Sequence, residues 1–215
     1  MLINLVMKDF MLVKKYFLIL LVFAAIAPIY LSTQLQLNDG GLVSFLLTVI
    51  LMEYILFGTV SKFEDQYKGA ALLCATPYTR SAFVKAKYLF LFVIFICASI
   101  IRVIISVIVP SGIENLSASA LGVTFLTLSI LFGVLLPVQF KYGYDKTKII
   151  SLLTAFLIPF VAPTLIRGLQ SSHIDFKIIF PFSPTVLTWI PCFISIVIGL
   201  ISMLISLKIY AKKDL

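Results

Sequence analysis

Few side chains in this sequence could carry out enzymatic chemistry, and none has the spacing that such chemistry needs. His173 is the only histidine, so the chain has no HExxH pair for zinc, and no buried Ser–His pair of an intramembrane protease is expected. A P-loop needs GxxxxGK followed by Ser or Thr. The nearest approach, GYDKT from Gly143 to Thr147, has Asp145 where the second glycine should be. We therefore expect no enzymatic activity and no ATP hydrolysis in this chain.

The cysteines do not add a metal centre. Cys74, Cys97 and Cys192 lack the spacing of metal ligands, and two of them lie in apolar runs. They are expected to behave as small buried hydrophobic residues, and His173 as a solvated loop residue. No cofactor is expected in the chain itself.

The composition indicates an integral membrane protein. Of the 215 residues, 61% are hydrophobic and 12% are charged, and the mean hydropathy is +1.15. Soluble domains have about 45–50% apolar and about 25% charged residues. The net charge of +8 is spread over short segments between apolar runs, so membrane lipid, rather than nucleic acid, is the expected contact.

Six apolar stretches approach the ~20 residues that a spanning helix needs. They predict an all-α, polytopic membrane protein that forms one domain over residues 1–215, with no soluble domain attached. The predicted spans are residues 16–35, 42–61, 88–109, 117–138, 148–168 and 187–208.

Residues 1–15 are predicted to form a separate helix that lies in the cytoplasmic membrane interface. Asn4, Lys8 and Lys15 fall on one face at helical spacing, which suits a helix that holds its lysines toward lipid headgroups. The alternative is that these residues simply extend the first span.

The basic residues predict the topology. If the N-terminus is cytoplasmic, the inner segments carry 14 of the 17 Lys and Arg residues. Cytoplasmic segments of membrane proteins carry such an excess. Both termini are therefore expected to be cytoplasmic.

Two ionisable residues are predicted to lie inside spans. Such residues are costly in a membrane and tend to pair with one another. At 1.5 Å per residue, Glu53 and Arg102 lie about 16 Å and about 10 Å below the same surface. We expect them to form a pair between adjacent helices, either as a structural tie or as part of a substrate path.

Prolines interrupt the fifth span. Pro159 and Pro163 free backbone groups that must find other partners in a membrane. Residues from about 162 to 184 are therefore predicted to form broken or re-entrant structure at the outer face, with Pro159 and Pro163 as a candidate outer gate.

The stretch from Ser61 to Tyr88 is the longest charged segment between apolar runs, with five basic and two acidic residues. Apolar residues from Tyr67 to Cys74 recur at i, i+3, i+4 and i+7, which predicts a short amphipathic helix across the cytoplasmic face. Pro77 cannot continue that helix, and Thr79 is placed to cap a new helix that begins near Arg80. The alternative is an interfacial helix that contacts only lipid.

We interpret this segment as a docking surface for a cytoplasmic partner. The candidate docking residues are Glu64, Asp65, Tyr67, Lys68, Leu72, Leu73, Pro77 and Arg80. A second cytoplasmic contact is predicted at the turn before the fifth span, at Lys141, Gly143, Asp145 and Lys146.

Several short motifs resemble the membrane subunits of type-2 ATP-binding-cassette exporters, in the branch found in Gram-positive bacteria. The opening has the form LxxKDFxLxKKY, from Leu5 to Tyr16. The segment between the second and third spans has an acidic–Tyr–Lys start, a Pro-x-x-Arg turn and a closing Lys-Tyr. These are Glu64 to Lys68, Pro77 to Arg80, and Lys87 with Tyr88.

Two further motifs extend the resemblance to nearly the whole chain. The turn from Pro137 to Lys146 is similar to the family's P-x-x-F/K-x-G-x-E-K pattern, with Asp145 in place of the usual glutamate. A Pro-Phe-Ser-Pro sequence, Pro181 to Pro184, leads into the sixth span.

The resemblance implies a permease that works in the bacterial cell membrane with a separate ATPase. That ATPase binds ATP and Mg²⁺ and docks on the segment between the second and third spans, and a second permease chain, identical or related, completes the pathway. Exporters of amphipathic toxic peptides, including phenol-soluble modulin exporters, have permeases of this style. Two alternatives remain at this stage. One is an energy-independent membrane interaction protein, such as an immunity or scaffold factor; the other is a lipid-handling enzyme, which the missing catalytic groups disfavour.

Overall fold

The structure is a computed structural model that describes residues 2–35, 41–67, 79–108, 117–171 and 184–212. Within these ranges the regular structure is entirely α-helical, which confirms the all-α class. The helices are α1 (Leu2–Leu12), α2 (Lys14–Leu35), α3 (Leu42–Gln66), α4 (Arg80–Ile108), α5 (Ala118–Tyr142), α6 (Tyr144–Ser171) and α7 (Pro184–Ala211).

Four of these helices are long and apolar enough to cross a membrane. They are α3, α4, α5 and the Thr188–Ala211 part of α7, and α1 with the first half of α2 makes a fifth candidate if the two are one bent span. These candidates are counted among the described residues only. The multi-pass membrane class is therefore supported, and the number of six spans stays a prediction.

The bend between α1 and α2 is sharp. The axes of Leu2–Leu12 and Lys14–Pro28 differ by 77°. The first residues thus form a helix of their own, rather than a straight extension of the first span. One face of α1 packs onto the bundle, with Leu5 and Val6 buried.

Helix α3 is the centre of the bundle, with α2, α4, α5 and α6 around it. Its apolar residues occupy most of its circumference, and Phe45, Val49 and Leu56 are almost completely buried. A helix that is apolar all round is stable only where it is surrounded. The polar residues on α3 therefore lie inside the protein, unless they fall at its ends.

Helices α5 and α7 pack most closely because α5 presents glycines. A Cβ at Gly122 would lie 3.3 Å from the Cys192 sulfur and from the Pro191 Cβ. At Gly133 the space admits Ser202, whose hydroxyl donates a 2.7 Å hydrogen bond to the Gly133 carbonyl. Small residues allow this approach between helices that have only lipid as the alternative neighbour.

The backbone of α6 corrects one prediction. The helix continues through Pro159 and Pro163 to Ser171, so the predicted broken structure does not begin at residue 162. Neighbouring helices and local adjustment allow proline within membrane helices, and the sequence pattern alone does not show where the helix ends. Residues 172–183, the rest of the predicted outer segment, lie outside the described residues.

Candidate functional site

Four charged side chains from three helices meet at one end of the bundle. The Lys87 ammonium of α4 lies 2.9 Å from an Asp9 carboxylate oxygen of α1 and 2.8 Å from Glu64 Oε1 of α3. The Lys8 ammonium lies 2.8 Å from the same Glu64 oxygen and 3.2 Å from the other Asp9 oxygen. Two acids and two bases thus form a closed, electrically neutral group, which we name the end cluster.

The end cluster is largely removed from water. The side chains of Lys87 and Asp9 are each 2% exposed, whereas Glu64 is 14% and Lys8 is 35% exposed. Removing one partner of a buried ion pair typically costs about 3–5 kcal/mol, because it leaves an uncompensated charge. Burial alone would lower the pKa of Lys8, but the Glu64 and Asp9 carboxylates outweigh burial and raise it. The cluster is therefore a structural tie between α1, α3 and α4.

Aromatic rings surround this tie. The Lys8 and Lys87 ammonium groups lie 5.7 Å and 5.2 Å from the centre of the Phe83 ring, within the range of cation–π attraction. The Phe83 ring in turn contacts Phe140 of α5 and Tyr210 of α7, with ring centres 6.3 Å and 5.4 Å away. The start of α4 and the ends of α3, α5 and α7 are thus joined at the same end of the molecule.

The end cluster corrects one prediction from the sequence and adds an internal contact to another. Lys8 was expected to face lipid headgroups with Asn4 and Lys15, but it turns inward to Glu64. Glu64 stays a predicted docking residue, and the structure adds that its Oε1 accepts hydrogen bonds from Lys8 and Lys87. Helical spacing along α1 could not reveal that a carboxylate of another helix lies beside Lys8.

The predicted lateral helix does not begin where the sequence suggested. Glu64 and Asp65 belong to the last turns of α3, which runs without a break from Leu42 to Gln66 and ends at Tyr67. The helical spacing of apolar residues in the predicted span continues past Ser61 into the next segment. No residue there therefore signals that the helix should end. Lys68, Leu72, Leu73 and Pro77 lie outside the described residues.

The start of α4 agrees with prediction. Thr79 is its N-cap: the side-chain oxygen accepts a 3.2 Å hydrogen bond from the Ala82 N–H, as expected for a capping threonine. Arg80 opens the helix and donates a 3.3 Å hydrogen bond to the Ala211 carbonyl. Asp65, Tyr67 and Arg80 are exposed on the two sides of the segment 68–78.

The turn proposed as a second contact is well defined. Gly143 joins α5 to α6 at a φ of 85°, a conformation that disfavours any residue with a side chain. Lys141, Asp145 and Lys146 are exposed on this turn. Asp145 lies in the first turn of α6, where a negative charge complements the helix dipole.

The expected pair between Glu53 and Arg102 is not present. Both residues are buried, at 2% and 1% exposure, but the three guanidinium nitrogens of Arg102 have no hydrogen-bond partner among the described residues. No ion pair of Glu53 occurs among the described residues. Height along two helices fixes only the axial position of a side chain and leaves its direction around the axis open, so the estimate from the sequence was insufficient.

A cavity of about 340 Å³ lies beside Glu53. Its walls come from α4, α5 and α7, and Glu53 lines it from α3. The Tyr88 hydroxyl, at one side, is 2.7 Å from the hydroxyls of both Ser202 and Ser206. The sequence did not predict this cavity, because residues far apart in the chain form it.

Sequence reasoning also missed Lys87 as a central residue. It was noted only as a basic residue and as part of a Lys-Tyr motif. The signal was present: Asp9, Glu64 and Lys87 all belong to stretches that carry the resemblance to exporter subunits. The structure brings those separate stretches into contact.

The fold defines a helical membrane protein whose described residues form a buried charge cluster and an apolar cavity. Residues 4–211 match the family model described as ABC-2 family transporter protein, and the chain therefore belongs to that family. Membership makes it a membrane permease component of an ATP-binding-cassette exporter that is not itself catalytic, and it implies an ATPase partner. No curated protein and no solved structure matched the chain.

Proposed function

We propose that this chain is the permease of a peptide exporter and that its ATPase docks on the segment between α3 and α4. The observation that carries the docking proposal is the placement of the two ends of that segment. Asp65 and Tyr67 are exposed where α3 ends, and Arg80 is exposed where α4 begins. A protein bound to residues 68–78 would therefore also meet charged and aromatic side chains on both sides.

The end cluster gives such docking a mechanical consequence. Force applied to the segment acts on the end of α3 and the start of α4, which Glu64 and Lys87 connect directly at 2.8 Å. Asp9 adds α1 to the same connection. When ATP closes the partner ATPase, the three helices would move as one unit rather than separately.

A substitution in the segment tests the docking proposal. Leu72→Asp together with Leu73→Asp places two charges on its apolar face, and we expect loss of an ATPase that co-purifies with the full-length wild-type chain. The matched control is Ala118→Asp with Ser119→Asp, two exposed positions at the start of α5. That control should retain the ATPase.

Mass spectrometry of the co-purified proteins separates the outcomes. Docking is supported if a P-loop ATPase co-purifies with the wild type and with the control but not with the Leu72/Leu73 variant. Persistent co-purification with that variant contradicts the docking surface. Absence of any ATPase from the wild type favours an energy-independent interaction protein.

The cargo and the assembly are also part of the proposal. The resemblance to Gram-positive exporters of amphipathic toxic peptides, including phenol-soluble modulin exporters, supports a peptide cargo, a bacterial cell membrane and a second permease chain. Deleting the gene should increase cell-associated amphipathic peptide and decrease the secreted fraction. Native mass spectrometry of the purified complex should contain two permease chains, and one permease per complex would contradict that assembly.

A further inference from the structure

We propose that the cavity between α4, α5 and α7 binds a hydrophobic monovalent cation whose charge is neutralised by Glu53. Within an exporter permease, this site would take the cationic, apolar part of the cargo. The inference deepens the proposed function and rests on it to that extent, although the binding site itself can be tested without the ATPase.

Four phenylalanine rings and several aliphatic side chains make the cavity apolar. Phe125 of α5 stacks on Phe95 of α4, with ring centres 4.9 Å apart, and lies 5.8 Å from Phe92. Phe132 also lines the cavity. A volume of about 340 Å³ is within the range of about 300–1,000 Å³ that small-molecule sites occupy. Aromatic faces also attract organic cations.

Among the described residues that line the cavity, Glu53 is the one acidic group. It is 2% exposed, and no hydrogen bond or ion pair joins it to another described residue. A buried carboxylate without a partner is costly, and a cation placed beside it removes that cost. Two other polar groups of the lining differ from Glu53, because Tyr88 and Ser195 already have hydrogen-bond partners in α7.

The position of Glu53 also suits a cargo site. It lies eleven residues into α3, or about 16 Å along the axis at 1.5 Å per residue. Ionisable residues at such depth usually face the bundle interior and mark ion or substrate pathways. Three residues on the cavity rim, Phe92, Ile196 and Leu200, are about half-exposed, so a molecule can enter from the side of the bundle.

Two probes of the same shape and opposite charge test the site. The full-length chain in phosphatidylcholine nanodiscs is titrated with radiolabelled tetraphenylphosphonium, a hydrophobic cation, and separately with tetraphenylborate, the corresponding anion. Empty nanodiscs give the membrane background. We expect saturable binding of the cation and none of the anion.

Two variants test the Glu53 carboxylate and the volume of the cavity separately. Glu53→Gln keeps the shape of the side chain and should weaken tetraphenylphosphonium binding at least ten-fold. Gly199→Leu fills the cavity, because Gly199 lines it and a Cβ there meets nothing within 4 Å. This variant should lose binding while Glu53 remains. The matched control is Gly58→Leu. Gly58 also lies on a helix, and a Cβ added there also meets nothing within 4 Å, but Gly58 does not line this cavity.

Each outcome decides the proposal. Equal binding of cation and anion, or unchanged binding by Glu53→Gln, would mean an apolar cleft without charge selection and would overturn it. Loss of binding in Gly58→Leu would also overturn the assignment to this cavity. If the cation does not bind while the ATPase still co-purifies, the cargo site is wrong and the permease function stands. If it binds without an ATPase partner, the site stands and the exporter proposal fails.

Discussion

The two groups of buried charge in this protein are arranged in opposite ways. In the end cluster, Lys8, Asp9, Glu64 and Lys87 neutralise one another over distances of 2.8–3.2 Å. Farther along the same helices, Glu53 and Arg102 are equally buried, but neither has an ion-pair partner among the described residues, and the Arg102 nitrogens have no hydrogen-bond partner there. A paired charge contributes to the structure, whereas an unpaired one beside a cavity is available to a ligand.

The largest predicted effect concerns the centre of the end cluster. Lys87→Met removes the ammonium that contacts both Asp9 and Glu64, and it leaves their carboxylates partly uncompensated. We expect a loss of about 3–5 kcal/mol in the free energy of unfolding, measured by denaturant titration in mixed micelles.

A neighbouring lysine is the control for this change. Lys85→Met alters an exposed lysine on the same helix, and its effect should stay within about 0.5 kcal/mol. The double variant Asp9→Asn with Lys87→Met should recover part of the lost stability. A Lys87→Met effect as small as that of Lys85→Met would show that the end cluster is not a tie.

The matching substitution in the middle of the bundle should not lower the free energy of unfolding, in contrast to Lys87→Met. Glu53→Gln removes an unpaired buried acid, so the free energy of unfolding should stay unchanged or rise by about 1 kcal/mol. The same denaturant titration measures it. A loss of more than about 1 kcal/mol would mean that Glu53 has a structural partner, and the contrast between the two regions would disappear.

A smaller effect is predicted where the docking segment meets α4. Thr79→Ala removes the N-cap of α4 and should cost about 1 kcal/mol. Ser117→Ala is the control, because Ser117 caps α5 by the same hydrogen bond, at 3.2 Å. Both should lower stability similarly, but only Thr79→Ala should reduce ATPase co-purification. Equal retention of ATPase by the two variants would contradict a role for this cap in docking.

The sequence predicted local structure well where one residue determines it. Thr79 as an N-cap and the turn at Gly143 follow from the chemistry of those residues alone. The all-α class and the approximate positions of the long helices follow from apolar runs. The end of α3 at Gln66 was not predictable, because the apolar pattern continues past Ser61 without a breaker.

The contacts between distant segments could not be predicted. The sequence identified Glu53 and Arg102 as important buried charges but paired them wrongly, since axial height does not fix direction around a helix. It assigned Lys8 and Glu64 to external contacts and did not reveal the contact between them. Lys8 and Glu64 lie on different helices and are 56 residues apart in the chain.

The docking claim is tested most directly by photo-cross-linking in cells. Benzoylphenylalanine replaces Tyr67, which is 62% exposed at the end of α3, or Trp189, an aromatic residue that is 56% exposed near the start of α7. Irradiation followed by mass spectrometry identifies the neighbour of each position. The account predicts a covalent adduct with a P-loop ATPase from position 67 and none from position 189. An adduct with lipid alone at position 67, or the same ATPase adduct from both positions, would contradict it.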